Sequence, residues 1–232
     1  MSELYKNAPL IESVFEITFP PELSIETKRD EFYKRIRKEF PEINLPLQTD
    51  QEPYPLKNYL FRDAKREKGV AYSINKFSFH CYKYLGFARF KEESLRYLKM
   101  FAENFGIENL ERTGLRYVNH IPIITEEGVI PIERYLHFGY KLPHSIPEKF
   151  SLLHSVIFVK LGEGNLRILV QYLRRSDALQ TEIILLDFDY FLEGKLSFSN
   201  IETYLDDSHQ HTKKIFEDLT TEEYKIIMRQ EP

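Results

Sequence analysis

Asp187 and Asp189 stand two residues apart, so on a strand both carboxylates project from one face, the arrangement that binds a divalent cation once a third oxygen ligand joins. No acidic partner motif accompanies them. A solvated strand end, where charge discourages edge pairing, is the favoured reading, and the two remain weak metal candidates.

Glu202, Asp206 and His209 recur at i, i+4 and i+7 of a C-terminal helical pattern, which would align nitrogen and oxygen ligands along one face. The favoured alternative is a histidine at the helix border, bonded to a neighbouring carboxylate. His211 points elsewhere. Arg112, Arg116 and Asn119 share a strand-like run, with both guanidinium forks on one face. Such forks suit phosphate or carboxylate recognition, with Asn119 orienting the ligand. Pairing of these arginines with Glu12 or Glu16 of the first strand is the favoured alternative. Arg112, Arg116, Asn119 and His209 are therefore the candidate ligand-binding or partner-binding residues.

No catalytic residue is assigned. There is no Gly-x-Ser-x-Gly nucleophile motif, and Gly162-Glu163-Gly164 lacks the following residues of a phosphate loop. Cys81 sits in an aromatic strand with His80 on the opposite face, as a core thiol does. No cofactor is expected.

These residues need elements to position them. Residues 11 to 19 alternate, placing Ile11, Phe15, Ile17 and Phe19 on one side and Glu12, Glu16 and Thr18 on the other, with Val14 the exception. Ser24 then reads as the N-cap of a helix reaching Phe40, with Ile25, Phe32, Ile36 and Phe40 on its apolar face. Pro46, Pro53 and Pro55 break the next stretch into loop or edge strand, and short strands follow over 59–62, 70–75 and 77–84. A helix from 90 to 105 ends at Gly106, and a strand runs from Leu110 to Ile121. Pro122, Pro131, Pro143 and Pro147 mark 122–149 as a connection with one helical candidate, 132–138. Beyond it, runs 152–161, 166–173 and 181–191 read as an antiparallel meander. Ser199-Asn200-Ile201-Glu202 and Thr220-Thr221-Glu222-Glu223 look like capping boxes of two final helices.

Strand runs each closed by a helix indicate α+β with antiparallel sheet and three main amphipathic helices. Two similar lobes, 1–121 and 150–232, or one curved sheet gripping its helices would both satisfy the pattern.

Composition bounds the function. Of 232 residues, 42% are hydrophobic and 14% aromatic, with a single Cys, which excludes low-complexity disorder and a disulfide-stapled miniprotein. The longest apolar stretches, 156–159 and 183–186, fall far short of the ~20 residues of a membrane span. The N-terminus lacks the basic and apolar regions of a signal peptide, so cytoplasm is expected. Net charge is −4. Nucleic-acid binding depends on a dense basic footprint, and the runs Lys34-Arg35-Ile36-Arg37-Lys38 and Lys65-Arg66-Glu67-Lys68 are interleaved or flanked by acids. Nucleic acid is thus a possible partner of lower rank, even with tyrosines nearby to stack on bases. Much of the aromatic excess falls on core faces. The Tyr-rich stretch from Tyr54 to Tyr84 is the expected partner surface.

Four segments carry a resemblance: Asn7-Ala8-Pro9-Leu10-Ile11-Glu12-Ser13-Val14-Phe15-Glu16-Ile17, Tyr84-Leu85-Gly86-Phe87-Ala88-Arg89-Phe90, Glu111-Arg112-Thr113-Gly114-Leu115-Arg116-Tyr117-Val118-Asn119, and His209 with Phe216-Glu217. Together they resemble a family of sporadically distributed, functionally uncharacterised prokaryotic proteins of about this length. Phe87 stands where that family often has Trp. The resemblance implies no catalytic residues. The family's patchy distribution is similar to that of mobile defence, restriction or toxin-antitoxin genes, which implies a role beside a partner protein.

The expectation is a non-enzymatic binding or regulatory component working with a protein partner, with homo-oligomerisation open. A small-ligand sensor with an aromatic-lined pocket and Arg116 or His209 as polar contact is the first alternative. A metal-dependent nuclease or hydrolase, requiring Asp187, Asp189 and His209 to converge, is the second.

Overall fold

Alternation along the first segment becomes strand β1 (Leu10–Thr18), whose Phe15 and Ile17 are completely buried. The computed structural model describes residues 5–45, 58–139, 145, 150–174 and 181–230. Ile11 departs from the expected face. A register shift between Leu10 and Glu12, where β1 meets β6 (Leu110–Ile123), leaves Ile11 exposed. Val14 is buried on the opposite face, between His80 and Arg116 of the neighbouring strands.

The other strands are β2 (Glu42–Asn44), β3 (Tyr59–Arg62), β4 (Lys68–Ser73), β5 (Lys76–Cys81), β7 (His154–Leu161), β8 (Gly164–Arg174) and β9 (Glu182–Leu196). They form one nine-stranded sheet in the order β2-β3-β4-β5-β1-β6-β9-β8-β7, with every pairing antiparallel. Strands from both sides of the proline-containing connection therefore share one sheet, joined where β6 pairs with β9. Pro122 lies inside β6, opposite Ile183. It is tolerated because His120, two residues earlier, donates its N–H toward Pro9 just before β1, so the side on which Pro122 lacks a donor faces beyond the end of β1. In the β7–β8 turn Gly162 has φ 61°, and a Cβ on Gly164 would fall 2.5 Å from the ring of Tyr190.

All the main helices pack on one face. Helix α3 (Phe87–Phe105) buries Phe90, Ser94, Tyr97, Leu98, Phe101 and Phe105 at helical spacing and ends on left-handed Gly106. Phe101 meets Phe19, Phe32, Phe77 and Tyr72 at centroid distances of 4.8 to 5.8 Å. Full burial of such a ring contributes about 2 to 3 kcal/mol. Helix α4 (Ile201–Leu219) covers β6 and β9 through Tyr204 and Leu205, the Tyr204 hydroxyl donating to the carbonyls of Thr113 and Tyr190.

Several boundaries move. The helix expected from Ser24 to Phe40 divides at Lys28 into α1 (Ser24–Thr27) and α2 (Arg29–Ile36), and Ser24 does not cap it. Ile25, Phe32, Ile36 and Phe40 are nonetheless all buried. The Ser199 capping box does not form, because 198–200 is a 3-10 turn leading into α4. Helix α5 (Glu222–Arg229) is capped by Thr221, whose Oγ1 accepts from Tyr224 N, rather than by Thr220. Residues 132–134 are 3-10 helix. Pro46, Pro53, Tyr54, Pro55, Pro143 and Pro147 lie outside the described residues.

Candidate functional site

The sheet separates the candidate residues into two groups. Opposite residues in an antiparallel ladder share a face, so the register Arg116↔Asp189 and Arg167↔Asp189 places these three together on the side away from the helices. Arg112 and Asp187 share that side. Arg116 donates to both oxygens of Asp187 at 2.8 and 2.9 Å, and Arg167 adds a third contact at 2.7 Å. Arg112 contacts Asp189 at 2.9 Å and Glu16 at 3.3 Å. Burial pushes the Asp189 carboxyl up from its ordinary range, opposed by Arg112 and Arg167. Asp187 is fully buried under its two guanidinium partners.

The expected pairing of Arg112 with Glu16 is present. Arg116, however, turns to Asp187, one of the two carboxylates considered as metal ligands. Both aspartates already have cationic partners, and among the described residues no group of three His, Cys, Asp or Glu side chains could hold a metal ion. A closed salt-bridge network of this kind secures β6, β8 and β9 to one another. His209 is on the helix-covered side, so it does not converge with Asp187 and Asp189.

The second group meets in a cleft of about 420 Å³ between the chain leading into β1, the start of α3, the end of β5, β6 and α4. His209 on α4 and Phe87 at the start of α3 lie face to face, centroids 3.9 Å apart and planes 5° apart. The Tyr117 hydroxyl shares a 2.9 Å hydrogen bond with His209 Nδ1. Tyr84 meets the Tyr117 ring edge-on. Burial first, then the charge of Lys213, lowers the His209 pKa to about 4, against a smaller opposing effect of Asp206. The imidazole is consequently neutral at pH 7. The bond foreseen between His209 and a carboxylate is absent, because Glu202 and Asp206 both turn to Lys91, at 3.2 and 2.9 Å.

Asn119 points into the same cleft, its Nδ2 anchored to the Leu186 carbonyl at 3.1 Å. Lys6, Lys83, Lys213 and Glu217 also line the space, Lys83 being paired with Glu67 at 2.7 Å. Glu217 accepts a 2.6 Å hydrogen bond from Tyr5, and Asn7 N donates to the Met228 carbonyl, which straps the N-terminal segment across α4 and α5. Burial, with the Glu217 contact second, pushes the Tyr5 hydroxyl up to about 12.

Of the four candidate ligand-binding residues, Asn119 and His209 are thus brought together, while Arg112 and Arg116 belong to the far face. Sequence reading passed over Tyr5, Lys83 and Lys213, and it did not single out Tyr117, although Tyr117 and Asn119 share a face at i, i+2. The expected tyrosine surface also divides. Tyr72 is core, Tyr59 lies beneath Arg29, and Tyr82 and Tyr84 line the cleft. The basic runs are largely ion-paired: Lys34 with Asp30, Arg35 with Glu103, Arg66 with Glu42 and Lys68 with Glu93.

No family model and no curated protein matches the chain. No helix among the described residues is long and apolar enough to cross a membrane.

Proposed function

We propose that this chain is a non-enzymatic, ligand-responsive binding protein whose cleft takes a small planar organic anion. The single observation that carries the reading is the cleft's composition. Seven aromatic side chains, a neutral histidine and the ammonium of Lys213 surround about 420 Å³, within the range of small-molecule sites. Aromatic walls favour a flat ring by stacking. Lys213 favours an anionic group on that ring, and Asn119 and Tyr117 offer polar contacts at the floor.

All four segments that carry the family resemblance contribute to the lining, through Pro9, Phe87, Tyr117 and His209. This supports the cleft as the part of the molecule that the resemblance concerns. A role beside a partner protein in a mobile defence or toxin-antitoxin-like setting rests on the resemblance, and ligand occupancy would be its input. A cytoplasmic setting fits the buried, unpaired Cys81.

Calorimetric titration with 2-naphthoate and with adenosine monophosphate tests the reading, since both combine a ring with an anionic group. The neutral 2-naphthalenemethanol is the control. Saturable one-to-one binding of at least one anion, and at least tenfold weaker binding of the neutral ring, is expected. Equal binding of the neutral ring, or none by any of the three, would refute it.

A further inference from the structure

We propose that two copies of this chain join edge to edge through β7, giving a two-fold dimer whose sheet runs unbroken across the interface. The two edges of the sheet differ. At one, β2 has three residues and its Glu42 is paired with Arg66, the short, charged kind of edge that resists pairing. At the other, β7 offers eight residues with no proline and no charge between His154 and Lys160. Val156, Ile157, Phe158 and Val159 are 47%, 38%, 66% and 39% exposed, so apolar side chains stand free on both faces of this edge.

The ladder with β8 fixes which backbone groups are free. Tyr172 N donates to the Leu153 carbonyl, and the register carries that phase along the strand. Ser155, Ile157 and Val159 accordingly turn their N–H and C=O toward β8, while His154, Val156, Phe158 and Lys160 turn theirs outward. An antiparallel pair of identical strands has its two-fold axis perpendicular to the sheet. Centred on Ile157, it sets each Val156 against the other copy's Phe158 and each His154 against the other copy's Lys160. All four outward residues then exchange paired hydrogen bonds. Centred on Phe158, the same strand would leave His154 opposite Gly162, beyond the strand end.

The Ile157 register also matches the side chains. Val156 and Phe158 form apolar cross-strand pairs on one face, and Ile157 meets its own copy on the other. Lys160 meets an imidazole instead of a second ammonium, so no two lysines oppose each other. This self-complementarity, which an isologous interface requires, points to a second copy over an unrelated strand.

Sedimentation equilibrium of the full chain across the micromolar range is expected to give a dimer. Phe158→Pro removes an outward N–H without touching the β8 ladder, and the variant is expected to be a folded monomer by circular dichroism. Should it fail to fold, Val156→Lys, which places a charge against Phe158, is expected to dissociate the dimer tenfold or more. Ile157→Cys sits at a non-hydrogen-bonded pair on the axis, where Cα atoms lie about 4.5 Å apart and a disulfide is accessible. Mild oxidation is expected to cross-link Ile157→Cys and not Phe158→Cys. A native chain that stays monomeric, or cross-linking of Phe158→Cys in place of Ile157→Cys, overturns the proposal. Binding of naphthoate does not depend on β7, so each idea fails separately.

Discussion

His209 lies flat on Phe87, with 3.9 Å between ring centroids, and its Nδ1 is held by the Tyr117 hydroxyl. The stack both shields the imidazole from water and makes one wall of the cleft. Phe87→Ala is expected to raise the His209 midpoint from about 4 toward its ordinary 6.5, read by NMR titration of the ring. Stability should fall by about 2 kcal/mol in urea unfolding, a half-buried share of the usual Phe→Ala cost. Phe87→Trp keeps the stack and is expected to leave the midpoint low. A midpoint unchanged in Phe87→Ala would show that the stack does not shield the ring.

His209 also links stability to pH. Its folded value, about 4, lies below its ordinary 6.5, so the unfolded chain binds the proton more readily. The folded state is fully favoured above pH 6.5 and loses stability as pH falls from 6.5 to 4, by roughly 2 kcal/mol after discounting for partial exposure. In His209→Gln this part of the pH dependence is expected to vanish, measured as urea midpoints at pH 7 and pH 5. An unchanged difference between the two pH values would contradict the assignment.

Asp187 has three hydrogen bonds from two arginines and no exposed surface. Asp187→Ala removes the carboxylate that Arg116 and Arg167 share, leaves Arg167 only its 4.0 Å contact with Asp189, and is expected to cost about 3 kcal/mol. Adding Arg116→Met should recover part of that loss, because one of the stranded charges is removed. The non-additivity of the double-mutant cycle is the readout, and strict additivity would show that the pair does not interact.

Thr221 ties two elements together. Its Oγ1 accepts from Tyr224 N at 3.2 Å and donates to the Arg134 carbonyl at 2.5 Å. Thr221→Ala is expected to cost about 1 to 2 kcal/mol, and Thr221→Ser appreciably less, by thermal unfolding. Equal losses in the two variants would mean that the hydroxyl is not the stabilising group.

The strands and α3 were legible because their burial repeats at fixed period. Phe15 and Ile17 alternate, and of the face Leu95, Leu98, Phe101, Ala102 and Phe105 read at helical spacing, Leu98, Phe101 and Phe105 are buried while Leu95 and Ala102 are only partly so. The split at Lys28 was hidden, since Ile25, Phe32 and Ile36 remain in phase across it. The role of Asp187 was hidden for another reason. Arg116 is 71 positions away and becomes its partner through the β6–β9 register, which neither strand encodes alone. The cleft likewise draws Tyr5, Phe87, Tyr117 and His209 from four distant segments. Its histidine and asparagine stood out in sequence as chemical groups, but its lysines did not, because Lys213 reads as one more charge on a solvated helix face.

The most direct test of the cleft is the His209 ring signal during titration with 2-naphthoate. In protein labelled on its histidine rings, the His209 resonances are expected to shift saturably with the calorimetric stoichiometry while those of His154, on β7, stay fixed. Lys213→Ala is expected to weaken the binding about tenfold, the ~1.4 kcal/mol scale of one partly screened charge contact. Saturable binding that leaves the His209 resonances unmoved would place the ligand elsewhere and contradict the assignment of the cleft.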